Sequence, residues 1–147
     1  MKVLLIGPVK PLVGGAAVVF DRLINSLEEN PNVDLIVVST YPGYKVNKVV
    51  YYFRRLLDFL FLLVKIFYKG YKVDIISFHA SSGSSAYVGP FIYLLSRILS
   101  KPLIARYFGG AFDLTYERLT SPHRWFVRNT YLKAEISLFQ TQMLVNY

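Results

Sequence analysis

The stretch IGPVKPLVGGAAVVFDRL, residues 6–23, connects a short apolar run to a longer apolar segment through a loop that ends in two adjacent glycines, Gly14 and Gly15. The run before the loop has the length of a β-strand, and the segment after it has the length of a helix. Adjacent glycines let a backbone turn tightly or let another molecule approach it closely. The stretch therefore predicts a strand, a loop and a helix, with glycines required either by a turn or by a ligand.

The same alternation of strand and helix continues along the chain. Continuous apolar runs of strand length lie at residues 3–6, 33–39, 74–78, 103–107 and 136–139, and segments of helical length lie at 15–29, 51–69, 84–99 and 122–133. Such runs are typical of strands buried on both faces. The pattern predicts a Rossmann-like α/β fold, an open parallel sheet of about five strands with helices on both faces, as a single domain over residues 1–147. The final residues, QTQMLVNY, resemble the start of a further helix, so we expect a longer protein.

Composition narrows the class of protein. Of the 147 residues, 54% are hydrophobic, which indicates a folded domain with a substantial core. The absence of cysteine excludes disulfides and thiolate zinc sites, and two histidines argue against a structural metal site, so we expect no metal. We expect a cytoplasmic protein.

Positive charge is concentrated in one aromatic segment. Residues 43–73 carry seven Lys or Arg against one Asp or Glu, a net of +6 within a chain of net charge +8. On a helix at 100° per residue, Arg54, Asp58, Lys65 and Lys69 fall within about 60°, with Arg55 slightly further round, and the other residues from 51 to 68 are apolar. We do not expect nucleic-acid binding, because polar base-reading residues are not interleaved with this charge.

Two interpretations of this helix are open. In one, it packs against the sheet and a neighbouring helix while its basic side chains reach water. In the other, Arg54, Arg55, Lys65 and Lys69 contact an anionic membrane, which would place the protein peripherally on the inner face of the cytoplasmic membrane. The apolar side chains that would then meet the membrane are Tyr51, Tyr52, Phe53 and Phe67.

Glycine, serine and histidine follow three of the five predicted strands. Besides Gly14 and Gly15, the third strand is followed by HASSGSS, residues 79–85, and the fourth by Gly109 and Gly110. Ligands of open parallel sheets bind beyond the carboxyl ends of the strands, so these loops predict a binding cleft. The spacing of the glycines after the first strand matches neither the dinucleotide-binding fingerprint nor the phosphate-binding P-loop. His79 is interpreted either as a buried hydrogen-bonding residue or as an acceptor contact.

Three positions in the predicted last helix, two aromatic and one polar, have simpler interpretations. We expect Trp125 and Phe126 in the core rather than stacked on a sugar, and we expect His123 to be an exposed polar residue.

Three stretches carry a family resemblance. KVLLIGPVKPLVGGAAVVFDRLINSL (residues 2–27), DIISFHASS (74–82) and KPLIARYFGGAFD (101–113) resemble, in this order, the N-terminal domain of retaining GT-B glycosyltransferases of family 4. In that family two Rossmann-like domains face each other, the first holding the acceptor and the second most of the nucleotide-sugar. The resemblance implies a donor domain C-terminal to residue 147, and a chain that is inactive without it.

The resemblance also assigns residues. Gly14 and Gly15 correspond to the loop that faces the donor diphosphate, and the acceptor-binding candidates are His79, Ser81, Ser82, Arg106, Gly109 and Gly110. Phe108 stands where the family commonly has a histidine before the glycine, so no catalytic residue is assigned.

These assignments predict which substrates the protein binds, and they leave one alternative function open. The implied partners are a nucleotide-diphosphate sugar as donor substrate, with no cofactor, and a sugar or lipid-linked acceptor in surface polysaccharide or glycolipid synthesis. The alternative is a non-catalytic Rossmann-like module that binds a membrane or a protein partner through its basic aromatic helix.

Overall fold

The computed structural model describes residues 1–9, 14–40, 48–108 and 112–139, and of residues 48–52 and 82 it describes the backbone only. In this part of the chain, five parallel strands form one open sheet. The strands are β1 (Lys2–Gly7), β2 (Asp34–Ser39), β3 (Ile75–Ser81), β4 (Leu103–Phe108) and β5 (Ile136–Leu138). Their order in the sheet is β2-β1-β3-β4-β5. The helices are α1 (Gly15–Glu28), α2 (Lys48–Gly70), α3 (Ser82–Tyr87), α4 (Gly89–Ile98), α5 (Phe112–Glu117) and α6 (Ser121–Asn129), followed by a 3₁₀ turn at Tyr131–Lys133.

Helices cover both faces of the sheet, as the sequence predicts. Helix α1 buries Phe20 against Leu5 and Phe108 on one face. On the opposite face, Leu4 and Phe78 pack in a larger core that includes Ile66 of α2. The α/β fold with an all-parallel open sheet is thereby confirmed.

The two outer strands are less buried than predicted. β2 pairs with β1, and β5 pairs with β4 over three residues. Val38 is the one fully buried residue of β2, and Ile136 and Leu138 of β5 are half-exposed. The expectation of burial on both faces was therefore wrong for β2 and β5, because a strand at the margin of a sheet receives less cover from the helices than a central strand.

The predicted helix at 84–99 is interrupted at Val88. Pro90 has no N–H, so the bond that would continue the helix to the carbonyl of Ala86 cannot form. Nε2 of His123 in α6 lies 3.0 Å from that carbonyl oxygen instead. His123 is consequently half-buried and not the exposed residue expected from sequence.

The last predicted helix, 122–133, also differs from expectation. α6 ends at Asn129, and a 3₁₀ turn replaces its final residues. The short helix α5, just before it, was not predicted from the sequence. Trp125 is 66% exposed, which contradicts its expected place in the core, while Phe126 is half-buried against Phe91.

Candidate functional site

Gly14 and Gly15 lie where α1 begins, at the carboxyl edge of the sheet. Gly14 is extended, with φ 164° and ψ 158°, and both residues are exposed. No atom of the described residues lies within 4 Å of a Cβ placed at either position. Gly7 differs, because a Cβ there would lie 2.5 Å from the Phe20 ring. Packing among the described residues therefore explains Gly7 and gives no reason for Gly14 or Gly15.

The first turn of α1 offers backbone N–H groups at this edge. The first N–H groups of any α-helix lack partners within the helix, and the helix dipole favours negative charge beside them. The N-cap position of α1 is occupied by Gly14, which has no side chain with which to cap these groups. The geometry suits a phosphate group that approaches the backbone directly.

His79, near the end of β3, is almost completely enclosed. It is 3% exposed, and its ring lies between Phe20 of α1, with centroids 5.1 Å apart, and Phe108 of β4, at 5.9 Å. Its Nε2 lies 2.8 Å from Oγ of Ser77. Nδ1 is buried and has no hydrogen-bond partner among the described residues. The described geometry is that of a buried hydrogen-bonding histidine with one ring nitrogen unused.

Burial also sets the charge of His79. Removal of the ring from water lowers its pKa to about 4, and the positive charge of Arg106 contributes in the same direction. The imidazole is therefore neutral near pH 7. In that state it can give or accept one hydrogen bond at Nδ1 but cannot act as a cation toward a phosphate.

Arg106 and Ser81 share this face of the sheet with His79. Arg106 is paired in register with His79, and Ser81 with Phe108. Arg106 is half-buried, its Cζ 5.3 Å from the centroid of the Phe108 ring, and Ser81 is exposed. The strands thus bring three acceptor-binding candidates together beside α1. Gly109 and Gly110 lie outside the described residues, as does the side chain of Ser82, which begins α3.

A second feature is a cleft of about 500 Å³ beside α2. The described residues that line it come from the end of β2, successive turns of α2 and the junction between α3 and α4: Ser39, Thr40, Arg54, Arg55, Leu57, Asp58, Phe59, Phe61, Leu62, Lys65 and Val88. We call this the α2 cleft. Three of the four basic membrane-contact candidates, Arg54, Arg55 and Lys65, line this cleft, as does the carboxylate of Asp58. The sequence analysis did not single out Ser39 and Thr40, although a position at the carboxyl end of a parallel strand is a signal for ligand contact.

Helix α2 has a covered and an uncovered apolar side. Ile66 is fully buried in the core, with Leu62 and Leu63 packed around it. A broad stripe remains exposed on the other side, formed by Phe53, Leu56, Leu57, Leu60, Phe61, Val64, Phe67 and Tyr68. We call this the α2 apolar stripe. The packing interpretation is thus confirmed for one side of the helix, and membrane contact through the exposed side stays a prediction.

The basic residues of α2 are not equivalent. Arg54, Arg55 and Lys65 are exposed, whereas Lys69 is half-buried with Nζ 3.5 Å from the carbonyl oxygen of Val37 in β2. The side chains of Tyr51 and Tyr52 lie outside the described part.

Within the described residues, no helix combines the length and apolar content that crossing a bilayer requires.

Comparisons with known proteins give no family assignment. No protein-family model matches the chain, and a search of curated proteins finds no significant match.

Among the residues that the structure describes, no three His, Asp or Glu side chains are grouped so as to hold a metal ion.

Proposed function

We propose that the protein is the acceptor-binding domain of a nucleotide-sugar-dependent glycosyltransferase of the GT-B type, acting in surface polysaccharide or glycolipid synthesis. The observation that carries the proposal is the pair of exposed glycines at the start of α1, which the packing of the described residues does not require. A diphosphate that contacts the backbone there would require them, because any side chain would occupy the space of the phosphate. The sequence resemblance supports the same role.

In this proposal the edge of the sheet divides between two substrates. The donor diphosphate meets the N–H groups at the start of α1, and the acceptor lies beside the ends of β3 and β4, near Ser81 and Arg106. The enclosed His79 ring lies behind this region and stays neutral, because its pKa of about 4 excludes a proton-donating imidazolium near pH 7. Most donor contacts come from a second domain, so the chain alone does not catalyse transfer.

The test is Gly15→Leu in the full-length protein, with Ser26→Leu as the matched control at the exposed far end of α1. Transfer from a panel of radiolabelled nucleotide-sugars is measured beside the urea midpoint. We expect Gly15→Leu to lower transfer by at least about 100-fold, while its free energy of unfolding stays within about 1 kcal/mol of wild type. Normal transfer by a folded Gly15→Leu protein would remove this loop from the site. Absence of transfer by wild type with every donor would favour the non-catalytic alternative.

We further infer that α2 contacts an anionic membrane, which makes the protein peripheral to the inner face of the cytoplasmic membrane. The support is the α2 apolar stripe beside exposed Arg54 and Arg55, since large apolar side chains next to cationic ones are typical of helices that lie in a membrane interface. A protein partner with an acidic, apolar surface is the competing occupant.

Vesicle flotation tests this contact with Phe61→Ser, which removes a side chain 68% exposed on the stripe. Leu114→Ser is the control, because Leu114 is also exposed but belongs to α5. We expect Phe61→Ser to weaken binding to anionic vesicles several-fold and Leu114→Ser to leave it unchanged. Equal binding by both variants would contradict membrane contact through α2.

A further inference from the structure

The α2 cleft has the shape and charge of a binding site for a small anionic group. Its volume of about 500 Å³ lies within the usual range of ligand pockets. The charged residues among the described part of its lining are Arg54, Arg55, Lys65 and the carboxylate Asp58, which together carry a net charge of +2. Two hydroxyl-bearing residues, Ser39 and Thr40, lie at its β2 end. Guanidinium groups bind phosphate oxygens in a forked geometry, and hydroxyls add further donors.

The walls of the same cleft are apolar and lead outward. Phe59, Leu62 and Val88 are half-buried parts of the lining. Leu57 and Phe61 line the cleft and also belong to the α2 apolar stripe, where both are exposed. A ligand whose charged group lies among the arginines can therefore extend an apolar chain along the stripe without leaving contact with the protein. A free phosphate or a sugar phosphate would leave this apolar wall in contact with water.

We propose that the α2 cleft binds the phosphate headgroup of an anionic lipid whose apolar chains stay in the bilayer against the α2 apolar stripe. The inference rests on the membrane contact proposed above and adds a defined lipid-binding site to it. It is independent of the glycine loop at the start of α1, which lies on a helix packed against the other face of the sheet. The cleft thus selects a phosphate-bearing lipid, whereas the stripe alone would bind any apolar surface.

The first experiment compares charge loss inside and outside the cleft. The double variant Arg54→Gln/Arg55→Gln removes two cleft charges, and Arg118→Gln/Arg128→Gln removes two exposed charges from positions outside its lining. Binding is measured by flotation with phosphatidylcholine vesicles that contain phosphatidic acid. Each basic residue at an anionic membrane contributes about 1 kcal/mol, or roughly fivefold, so we expect about 25-fold weaker binding for the cleft variant and less than about twofold for the control. Lys65→Gln, expected to lose about fivefold, serves if the double variant does not fold.

The second experiment separates a phosphate site from general attraction. Vesicles of equal surface charge are prepared with phosphatidic acid or with a fatty acid, and the wild-type protein should bind the phosphate-bearing vesicles at least about fivefold more tightly. Equal binding to both, or equal losses in the two double variants, would overturn the cleft inference and leave the membrane contact intact. Absence of vesicle binding would overturn both, without bearing on glycosyl transfer.

A soluble competitor distinguishes the two sources of phosphate. Glycerol 3-phosphate is added to the flotation assay, and soluble dihexanoyl phosphatidic acid is added in parallel. We expect only the second to displace the protein at comparable concentration, because it alone occupies the apolar wall. Equal displacement by glycerol 3-phosphate would assign the cleft to soluble phosphates and would overturn the lipid proposal.

Discussion

His79 should make the protein lose stability in acid through a single buried ring. Its pKa falls from 6.5 in the unfolded chain to about 4 in the folded protein, first because burial removes the ring from water and second because Arg106 is near. Below pH 6.5 the His79 ring binds a proton in the unfolded state but not in the folded state. The contribution of the neutral ring to the free energy of unfolding is therefore complete above that pH and is lost as pH falls toward 4. The linkage relation gives a loss of about 2 kcal/mol between about pH 7.5 and about pH 5.

The assay is urea unfolding at these two pH values, for wild type, His79→Gln and His123→Gln. With an m-value of about 1.5 kcal/mol per M, the wild-type midpoint should fall by about 1.3 M from this source alone. His79→Gln is neutral at both pH values, so its acid loss should be smaller than that of wild type by about 2 kcal/mol. His123→Gln removes the other of the two histidines and should retain the wild-type loss.

The comparison uses the change with pH and not the absolute stability, because His79→Gln also removes the aromatic contacts of the ring. The reasoning is refuted if His79→Gln loses as much stability between the two pH values as wild type does. An NMR titration of the His79 ring that gives an ordinary midpoint near 6.5 would refute it independently.

Two further changes test the packing of the fold. Gly89→Ala should cost about 1–3 kcal/mol in urea unfolding, because its Cβ would lie 2.6 Å from Cγ of the fully buried Tyr131 ring, whereas Gly83→Ala, with no described atom within 4 Å, should cost less than about 0.5 kcal/mol. Glu135→Ala should cost about 1 kcal/mol by the same measurement, because Oε2 of Glu135 accepts a hydrogen bond of 2.8 Å from the N–H of Leu103. The ion pair between Glu135 and Arg97 adds little to this cost, because both side chains are partly exposed. Little or no difference between the two glycine variants, or an unchanged Glu135→Ala protein, would contradict these assignments.

The sheet could be predicted because its strands are marked locally. Each strand coincides with a short apolar run, and the intervening helical segments impose parallel pairing. The break at Val88 was less visible, because the surrounding residues are apolar and helix-compatible, and Pro90 can occupy the first turn of a helix as well as interrupt one. The exposure of Trp125 depends on what neighbouring helices leave uncovered, which composition does not encode.

The candidate site was predictable to a lesser degree. The position of Gly14 and Gly15 at the carboxyl edge follows from topology, but the open space around them is a property of the folded chain. Nothing in the sequence distinguishes the apolar residues of α2 that pack, such as Ile66, from those that remain exposed, such as Phe61. The α2 cleft depends on how the end of β2 and Val88 approach this helix, which requires the tertiary structure.

The interruption between α3 and α4 has a consequence for the order of folding. Because Pro90 leaves the carbonyl of Ala86 without a donor in its own helix, that oxygen is satisfied by a side chain 37 residues later. Neighbouring residues hold the bend itself, through hydrogen bonds from the Val88 N–H to the Ser84 carbonyl and from the Phe91 N–H to the Val88 carbonyl. The Ala86 carbonyl, by contrast, gains its partner only when α6 docks. The bend can therefore form early from local contacts, whereas its attachment to the C-terminal helices is a late step, because a contact between residues 37 positions apart requires tertiary docking.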